Sequence, residues 1–158
     1  MERTLVLIKP DGVQRQLIGR IINRFEEKGL KVVGFKMLKV SQTQAENLYS
    51  VHKKKPFYPG LMKFILSGPI VAMSIEGIGA VNICRKLLGA TFGPDAEAGT
   101  IRGDFGASVS FNLVHASDSK ESVQRELPIF FKETEIVSYA LDNHKWVYHP
   151  TEEKEIED

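Results

Sequence analysis

The spacing of apolar and polar positions divides the chain into short blocks. TLVLI (4–8) is an unbroken apolar run of strand length, and Pro10-Asp11-Gly12 behind it is turn chemistry. Val13, Leu17, Ile21 and Phe25 then recur at four-residue spacing with Ile18 and Ile22 beside them, one stripe of a helix that Gly29 ends. KVVGFKMLKV (31–40) is rich in β-formers and predicts a second strand. SQTQAENLYS offers two overlapping capping boxes, Ser41 with Gln44 and Thr43 with Glu46, so a short helix follows. PIVAMSI (69–75) predicts a third strand, 78–88 a helix closed by Gly89, the segment around LVHA a fourth strand, and 118–127 another helix.

The resulting order, β-α-β, α, β-α-β, predicts an α/β (α+β) fold of the ferredoxin-like sandwich type: two split β-α-β units form a four-stranded antiparallel sheet with helices on it. The pattern fails between Gly89 and Ser108. ATFGPDAEAGTIRGDFGA has one proline, five glycines with Gly89 counted, and no period. Structureless loops of this length are uncommon in compact domains and usually functional. This one carries Thr91 and Arg102 and leads into the strand that presents His115, so it is expected to belong to a site.

Composition sets limits on that site. At 158 residues with 42% hydrophobic content, the chain suits one cored domain, read as residues 1–150, with TEEKEIED (151–158) as an acidic tail. The tail holds one lysine and five acids. The chain's 21 Lys+Arg against 20 Asp+Glu therefore leave the first 150 residues five positive charges in surplus. Such a body suits phosphate-bearing ligands but lacks the clustered basic face of a nucleic-acid binder. The single Cys84 excludes an internal disulfide framework and reads as a buried small residue. The apolar run before Lys9 is far too short to span a membrane, and no secretory signal is expected, so the expected location is the cytoplasm.

NLVHASDS (112–119) carries the chemistry. An apolar run delivers His115, and Ser117-Asp118-Ser119 then supply helix-capping oxygens, which places the histidine where a strand ends and a helix begins. Imidazole titrates near neutrality and can act as a nucleophile if one nitrogen is exposed and the other is held by an acceptor. Glu126 is a candidate acceptor, since a helix from about Asp118 packs back across the strand. Ser117, two residues on, shares the face of a continuing strand. Lys9, at the end of the first strand, and Arg85, Arg102, His52 and Lys53-Lys54-Lys55 add positive groups. Arg102 stands out because Gly99 and Gly103 flank it and let the backbone approach a ligand. KPFYPG fixes Phe57 and Tyr58 between two prolines, a rigid turn able to display a ring.

Four blocks in this order, TLVLIKPDGV, KPFYPGL, GTIRGDF and NLVHASDS, resemble the nucleoside diphosphate kinase family, and the similarity extends to Trp146. The resemblance implies that His115 is the phosphate-accepting nucleophile, with Glu126 holding its other nitrogen and Ser117 supporting the site. It places Lys9, Tyr49, His52, Arg85, Thr91, Arg102 and Asn112 around the phosphates and ribose. Phe57, Leu61 and Val109 would clamp the base. The implied reaction moves the γ-phosphate of a nucleoside triphosphate to a nucleoside diphosphate by a ping-pong route through phosphohistidine, accepts any base, and maintains nucleotide pools. Mg²⁺ is then held by the phosphates rather than by a protein cage. A homo-oligomer, hexamer or tetramer, is implied as well, and an apolar cluster of Trp146, Val147, Tyr148 and Pro150 near the end of the chain offers a surface for it.

Three positions depart from the family pattern. Val109-Ser110-Phe111-Asn112 stands where many members have Val-Gly-Arg-Asn, so a charge is missing near the base. Pro94 and AEAGT replace the usual Pro-Gly pairing of the long loop. Lys55 precedes Pro56 where arginine is common. Strict alternation from Val109 to His115 would also put Asn112 and His115 on opposite faces, whereas the resemblance places both near the nucleotide. Either the chain is irregular around Asn112 or the strand starts later, and the later start is the expectation. A regulatory nucleotide binder would lack the histidine or its cationic partners, and both are present. Gly77-x-Gly79 has Asn82 at the third position of a dinucleotide fingerprint. TLVLI and PIVAMSI contain none of the paired aromatics of an RNA-binding sheet.

Overall fold

The computed structural model describes residues 1–154. Its strands are β1 (Glu2–Ile8), β2 (Lys31–Leu38), β3 (Ile70–Gly77) and β4 (Val114–Ala116), joined in one sheet of order β2-β3-β1-β4. Every pairing is antiparallel: β1 meets β3 from Glu2↔Gly77 to Ile8↔Val71 and β4 from Val6↔Ala116 to Ile8↔Val114, while β2 meets β3. This is the ferredoxin-like sheet that the element order predicts.

Helices cover both faces, which explains why β1 is apolar without alternation. Leu5 and Leu7 enter a core with Ala45, Leu48, Ile65 and Phe130, whereas Val6 and Ile8 enter another with Ile21, Phe25, Cys84 and Leu88. All four β1 side chains are fully buried. A strand covered on both sides has no polar face to show. The first core is closed by α3 (Gln42–Leu48), α4 (Tyr58–Ile65) and α7 (Lys120–Phe130); the second by α2 (Ile18–Glu27) and α5 (Ala80–Leu88).

The structure corrects several expectations. Pro10-Asp11-Gly12 is not a turn but the start of a short helix, α1 (Pro10–Gln14), because proline at the first helical position presets φ and lacks only an N–H that would have gone unpaired. The expected single helix is broken after it. Leu17 N–H donates to the Gly12 carbonyl and Gln16 N–H to that of Val13, with Gln16 left-handed at φ +58, which is a Schellman ending before α2 begins. Val13 and Leu17 still pack on the core that buries Ile21 and Phe25, so the stripe survives the break. Of the two capping boxes only Ser41–Gln44 forms.

The long loop is not structureless either. Thr100 caps a helix, α6 (Ile101–Phe105), by accepting from Gly103 N–H at 3.0 Å. Gly103 must lack a side chain, since a Cβ there would lie 1.8 Å from the Glu97 carbonyl oxygen. Near the end of the chain, α8 (His144–Val147) leaves Trp146 84% exposed, but Val147 closes on Gly29, and the Tyr148 hydroxyl accepts from Ile78 N–H at 3.1 Å. Two of the expected apolar cluster therefore pack back on their own domain. The expected acidic tail begins as α9 (Pro150–Lys154), and residues 155–158 lie outside the described residues.

Candidate active site

β4 begins only at Val114, as the alternation argument requires. Leu113 just before it takes φ +70, and this reversal lets Asn112 and His115 line one cleft of about 1080 Å³. His115 pairs across the sheet with Leu7 and so shares the face covered by α7. Ser119 caps α7 by accepting from Ser122 N–H at 3.1 Å, and two turns later the helix brings Glu126 back over the strand.

Glu126 Oε1 lies 2.5 Å from His115 Nε2. A carboxylate can only accept, so Nε2 carries the proton and the lone pair of the neutral ring resides on Nδ1. The His115 side chain is 22% exposed and lines the cleft, and Nδ1 has no hydrogen-bond partner among the described residues. Burial holds the imidazole pKa below its ordinary value, opposed by the hydrogen bond and charge of Glu126, with Lys9 and Arg85 acting in the same direction as burial. The ring is thus neutral, oriented and open at one nitrogen. That is the state a nucleophile needs.

Lys9, Arg85 and Arg102 share the cleft wall with Arg125. Lys9 is buried, and its Nζ donates to Asn112 Oδ1 at 2.9 Å. Its pKa is brought down to about 8, by burial first and then by Arg102, with Asp11 acting the other way. Arg102, almost wholly buried, donates Nε to the Asn112 carbonyl (3.1 Å), Nη1 to that of Gly89 (3.0 Å) and Nη2 to that of Val114 (2.7 Å). Its guanidinium therefore ties α5 to β4 and still keeps two of its five N–H groups free. Burial and Arg85 lower its pKa to about 10. Arg85 Nη1 donates to the Ala116 carbonyl at 3.1 Å. Asn112 in turn donates to the Thr91 carbonyl at 2.9 Å, linking the loop to the site. Concentrating cations in one partly buried wall is costly, and the cleft suits an anionic ligand.

Tyr49 and His52 form the next part of the wall. The Tyr49 hydroxyl and His52 Nδ1 are buried without a partner among the described residues, two polar atoms left for a ligand or water. Burial and the Glu126 charge hold the Tyr49 hydroxyl protonated well beyond its usual range, so it is a donor. Phe57, half exposed, sets its ring 5.4 Å from that of His52 at a tilt of 57°, and lines the cleft with Leu61 and Val109.

Twelve of the thirteen residues singled out from the sequence line this cleft. The exception is Ser117. It is fully buried, its hydroxyl has no partner among the described residues, and it is absent from the cleft wall, β4 having ended at Ala116. Phe64, Phe92, Phe111, Asp118, Ser122 and Arg125 line the cleft unanticipated. Phe111 replaces the missing arginine with a ring 5.1 Å from that of Phe64, and the single aromatic in the departing VSFN segment was the only sequence hint. A second cleft of about 720 Å³, between the C-terminal segment and the sheet end, contains none of the thirteen.

A ferredoxin-like sheet that presents an oriented neutral histidine to a cleft of buried cations defines a phosphate-handling enzyme. Comparison with known proteins specifies which kind. The sequence profile of nucleoside diphosphate kinase matches residues 2–136. The chain is 51% identical to the nucleoside diphosphate kinase of Archaeoglobus fulgidus, over 94% of this chain and 98% of that protein. It is 56% identical to that of Thermoplasma acidophilum, over 88% and 94%. The solved structure of a halophilic nucleoside diphosphate kinase from Halobacterium salinarum in complex with CDP superposes with a TM-score of 0.91 at 47% identity, covering 94% of this chain and 99% of that one. The chain belongs to the nucleoside diphosphate kinase family. It is a phosphotransferase that moves the γ-phosphate of a nucleoside triphosphate to a nucleoside diphosphate. Among the described residues no helix is long and apolar enough to cross a membrane.

Proposed function

We propose that the transfer proceeds by double displacement through His115. Nδ1 attacks the γ-phosphorus, the bond to the β,γ-bridging oxygen breaks, and the diphosphate leaves with that oxygen. A second nucleoside diphosphate enters the same cleft, and its terminal β-phosphate oxygen takes the phosphoryl group from Nδ1. One phosphoanhydride is exchanged for another, so the reaction is nearly thermoneutral and catalysis rests on positioning and charge stabilisation. Lys9, Arg85 and Arg102 supply the charge, Glu126 stabilises the ring as it becomes cationic, and Tyr49, His52, Thr91 and Asn112 hold the phosphates and ribose. The observation that carries this reading is the 2.5 Å contact of Glu126 with Nε2, which fixes the tautomer and leaves Nδ1 to react.

Mg²⁺ fits this cleft as a nucleotide-borne ion. No three of His, Cys, Asp and Glu converge among the described residues, and Asp118 is the carboxylate of the cleft wall not engaged with His115. Borne by the nucleotide's phosphates, the ion would supply charge neutralisation in the cleft beside Lys9, Arg85 and Arg102. In the same reading residues 1–150 are the catalytic domain and 151–158 an acidic tail, the enzyme works in the cytoplasm on nucleotide pools, and it assembles as a homo-oligomer, hexamer or tetramer. Exposed Phe35 and Met37 on the edge strand β2, together with Trp146, support the assembly.

The test is acid-labile, alkali-stable phosphoenzyme formation from γ-labelled ATP. Wild type forms it; a folded His115→Ala variant forms none and transfers nothing. Glu126→Ala slows it by about ten- to a hundredfold, the rate equivalent of a hydrogen bond to a charged group. Normal transfer by His115→Ala removes the assignment.

A further inference from the structure

Leu113 has the least ordinary backbone of the site. It is a fully buried leucine at φ +70, a conformation that a residue with a side chain adopts only where its surroundings impose it. Those surroundings come from the other end of the sequence. Leu113 N–H donates to Asp11 Oδ2 at 3.0 Å, and the Leu113 carbonyl accepts from Lys9 N–H at 2.7 Å. Residues 9–11 therefore hold the peptide units on both sides of Leu113. Gly12 makes this approach possible, since a Cβ there would lie 3.2 Å from the Leu113 carbonyl oxygen and 2.6 Å from Ile8 Cγ2. Asp11 Oδ1 is buried without a partner among the described residues, so the contact that holds this carboxylate is the one Oδ2 makes with Leu113 N–H.

Asn112 lies immediately before Leu113, and His115 follows two residues later. An extended residue at 113 would restore strict alternation and send Asn112, with the Lys9 contact it provides, to the face opposite His115. We infer that Asp11 is a positioning residue for phosphoryl transfer: its carboxylate, with Gly12 beside it, holds Leu113 in the left-handed conformation that lets Asn112 and His115 address one phosphate. This rests on the reading of His115 as the nucleophile.

Wild type, Asp11→Ala and Asp11→Asn are compared by rapid-quench phosphoenzyme formation at saturating γ-labelled ATP and by hydrogen exchange at the Leu113 amide. Asp11→Ala slows phosphorylation about ten- to a hundredfold, as loss of a charge-assisted hydrogen bond does, and loses protection at that amide. Asp11→Asn keeps an oxygen acceptor, so it retains the protection and stays within about fivefold of wild type. A wild-type rate in folded Asp11→Ala, or unchanged protection there, overturns the inference. So does an Asn variant as slow as Ala, which assigns the effect to charge beside Lys9 rather than to the pin. If Asp11→Ala does not fold, Asp11→Asn decides: a normal rate with protection retained supports the pin, and a normal rate with protection lost sinks it. A wild type that forms no phosphoenzyme removes the nucleophile assignment itself, whatever the Asp11 variants do.

Discussion

Raising the pH from 7.5 to 9 should discharge one residue of the cleft selectively. Lys9 titrates at about 8, so its charged fraction falls from about three-quarters to about one-tenth over that interval. Arg102, at about 10, stays charged, and the Tyr49 hydroxyl, held protonated beyond its ordinary range, stays neutral. The nucleotide is no source of change either, because a terminal phosphate has already ionised near pH 6. If the Lys9 ammonium stabilises the transferring phosphoryl group, kcat/KM falls about eightfold across the interval, since that parameter reports the free enzyme's pKa values. Stability moves the other way. A lysine whose folded pKa lies below its unfolded value of about 10.5 destabilises the fold while charged, so between pH 8 and 9 its deprotonation makes the fold more stable. The assay is steady-state transfer at fixed ionic strength with Tm measured in the same buffers, for wild type and Lys9→Arg. The arginine variant, whose guanidinium keeps its proton, loses the alkaline limb whatever its absolute rate. A wild-type kcat/KM that changes less than twofold between pH 7.5 and 9 refutes the reasoning, and so does the same limb in Lys9→Arg.

Two more expectations follow from the geometry. Phe57, Leu61 and Val109 present no side-chain donor or acceptor to a base edge. Adenine, guanine, cytosine and uracil diphosphates should therefore differ by at most about a hundredfold in kcat/KM, and Phe57→Ala should weaken all four by a similar factor; a preference above about a thousandfold would mean that a directional hydrogen bond reads the base. Static light scattering at micromolar concentration should show a multiple of the 17.7 kDa chain, and a monomer mass there would exclude the homo-oligomer.

The cost of the cleft explains why Arg85 and Arg102 come tied to the backbone. Burial, with repulsion from Arg102 on Lys9 and from Arg85 on Arg102, depresses the pKa of both, and Arg102 offsets part of that cost with three bonds to carbonyls. The same bonds make Arg102 a brace for the chain from Gly89 to β4. A substitution there is therefore expected to disturb the geometry of Asn112 as well as the field at the phosphate.

By itself the sequence determined what depends on near neighbours. The continuous apolar run of β1, the four-residue stripe from Val13 to Phe25, the Ser41–Gln44 cap and the histidine block followed by Ser-Asp-Ser were legible because periodicity and capping act within a few residues. The late start of β4 was legible once the family resemblance required Asn112 and His115 at one site, because one face cannot hold both in regular alternation; the irregularity at Leu113, the other way out, is present as well. Only the tertiary structure decided the rest. The Schellman break at Gln16 leaves the stripe's spacing intact, so no period betrays it. The helix within the glycine-rich loop depends on Thr100 and on Gly103 lying against the Glu97 carbonyl. Ser117 has the right parity for the cleft yet is buried, because parity describes a strand and this strand ends one residue earlier. Leu113 is held by Asp11 across 102 positions and Asn112 is met by Lys9 across 103, and contacts between such distant residues leave no local pattern to read.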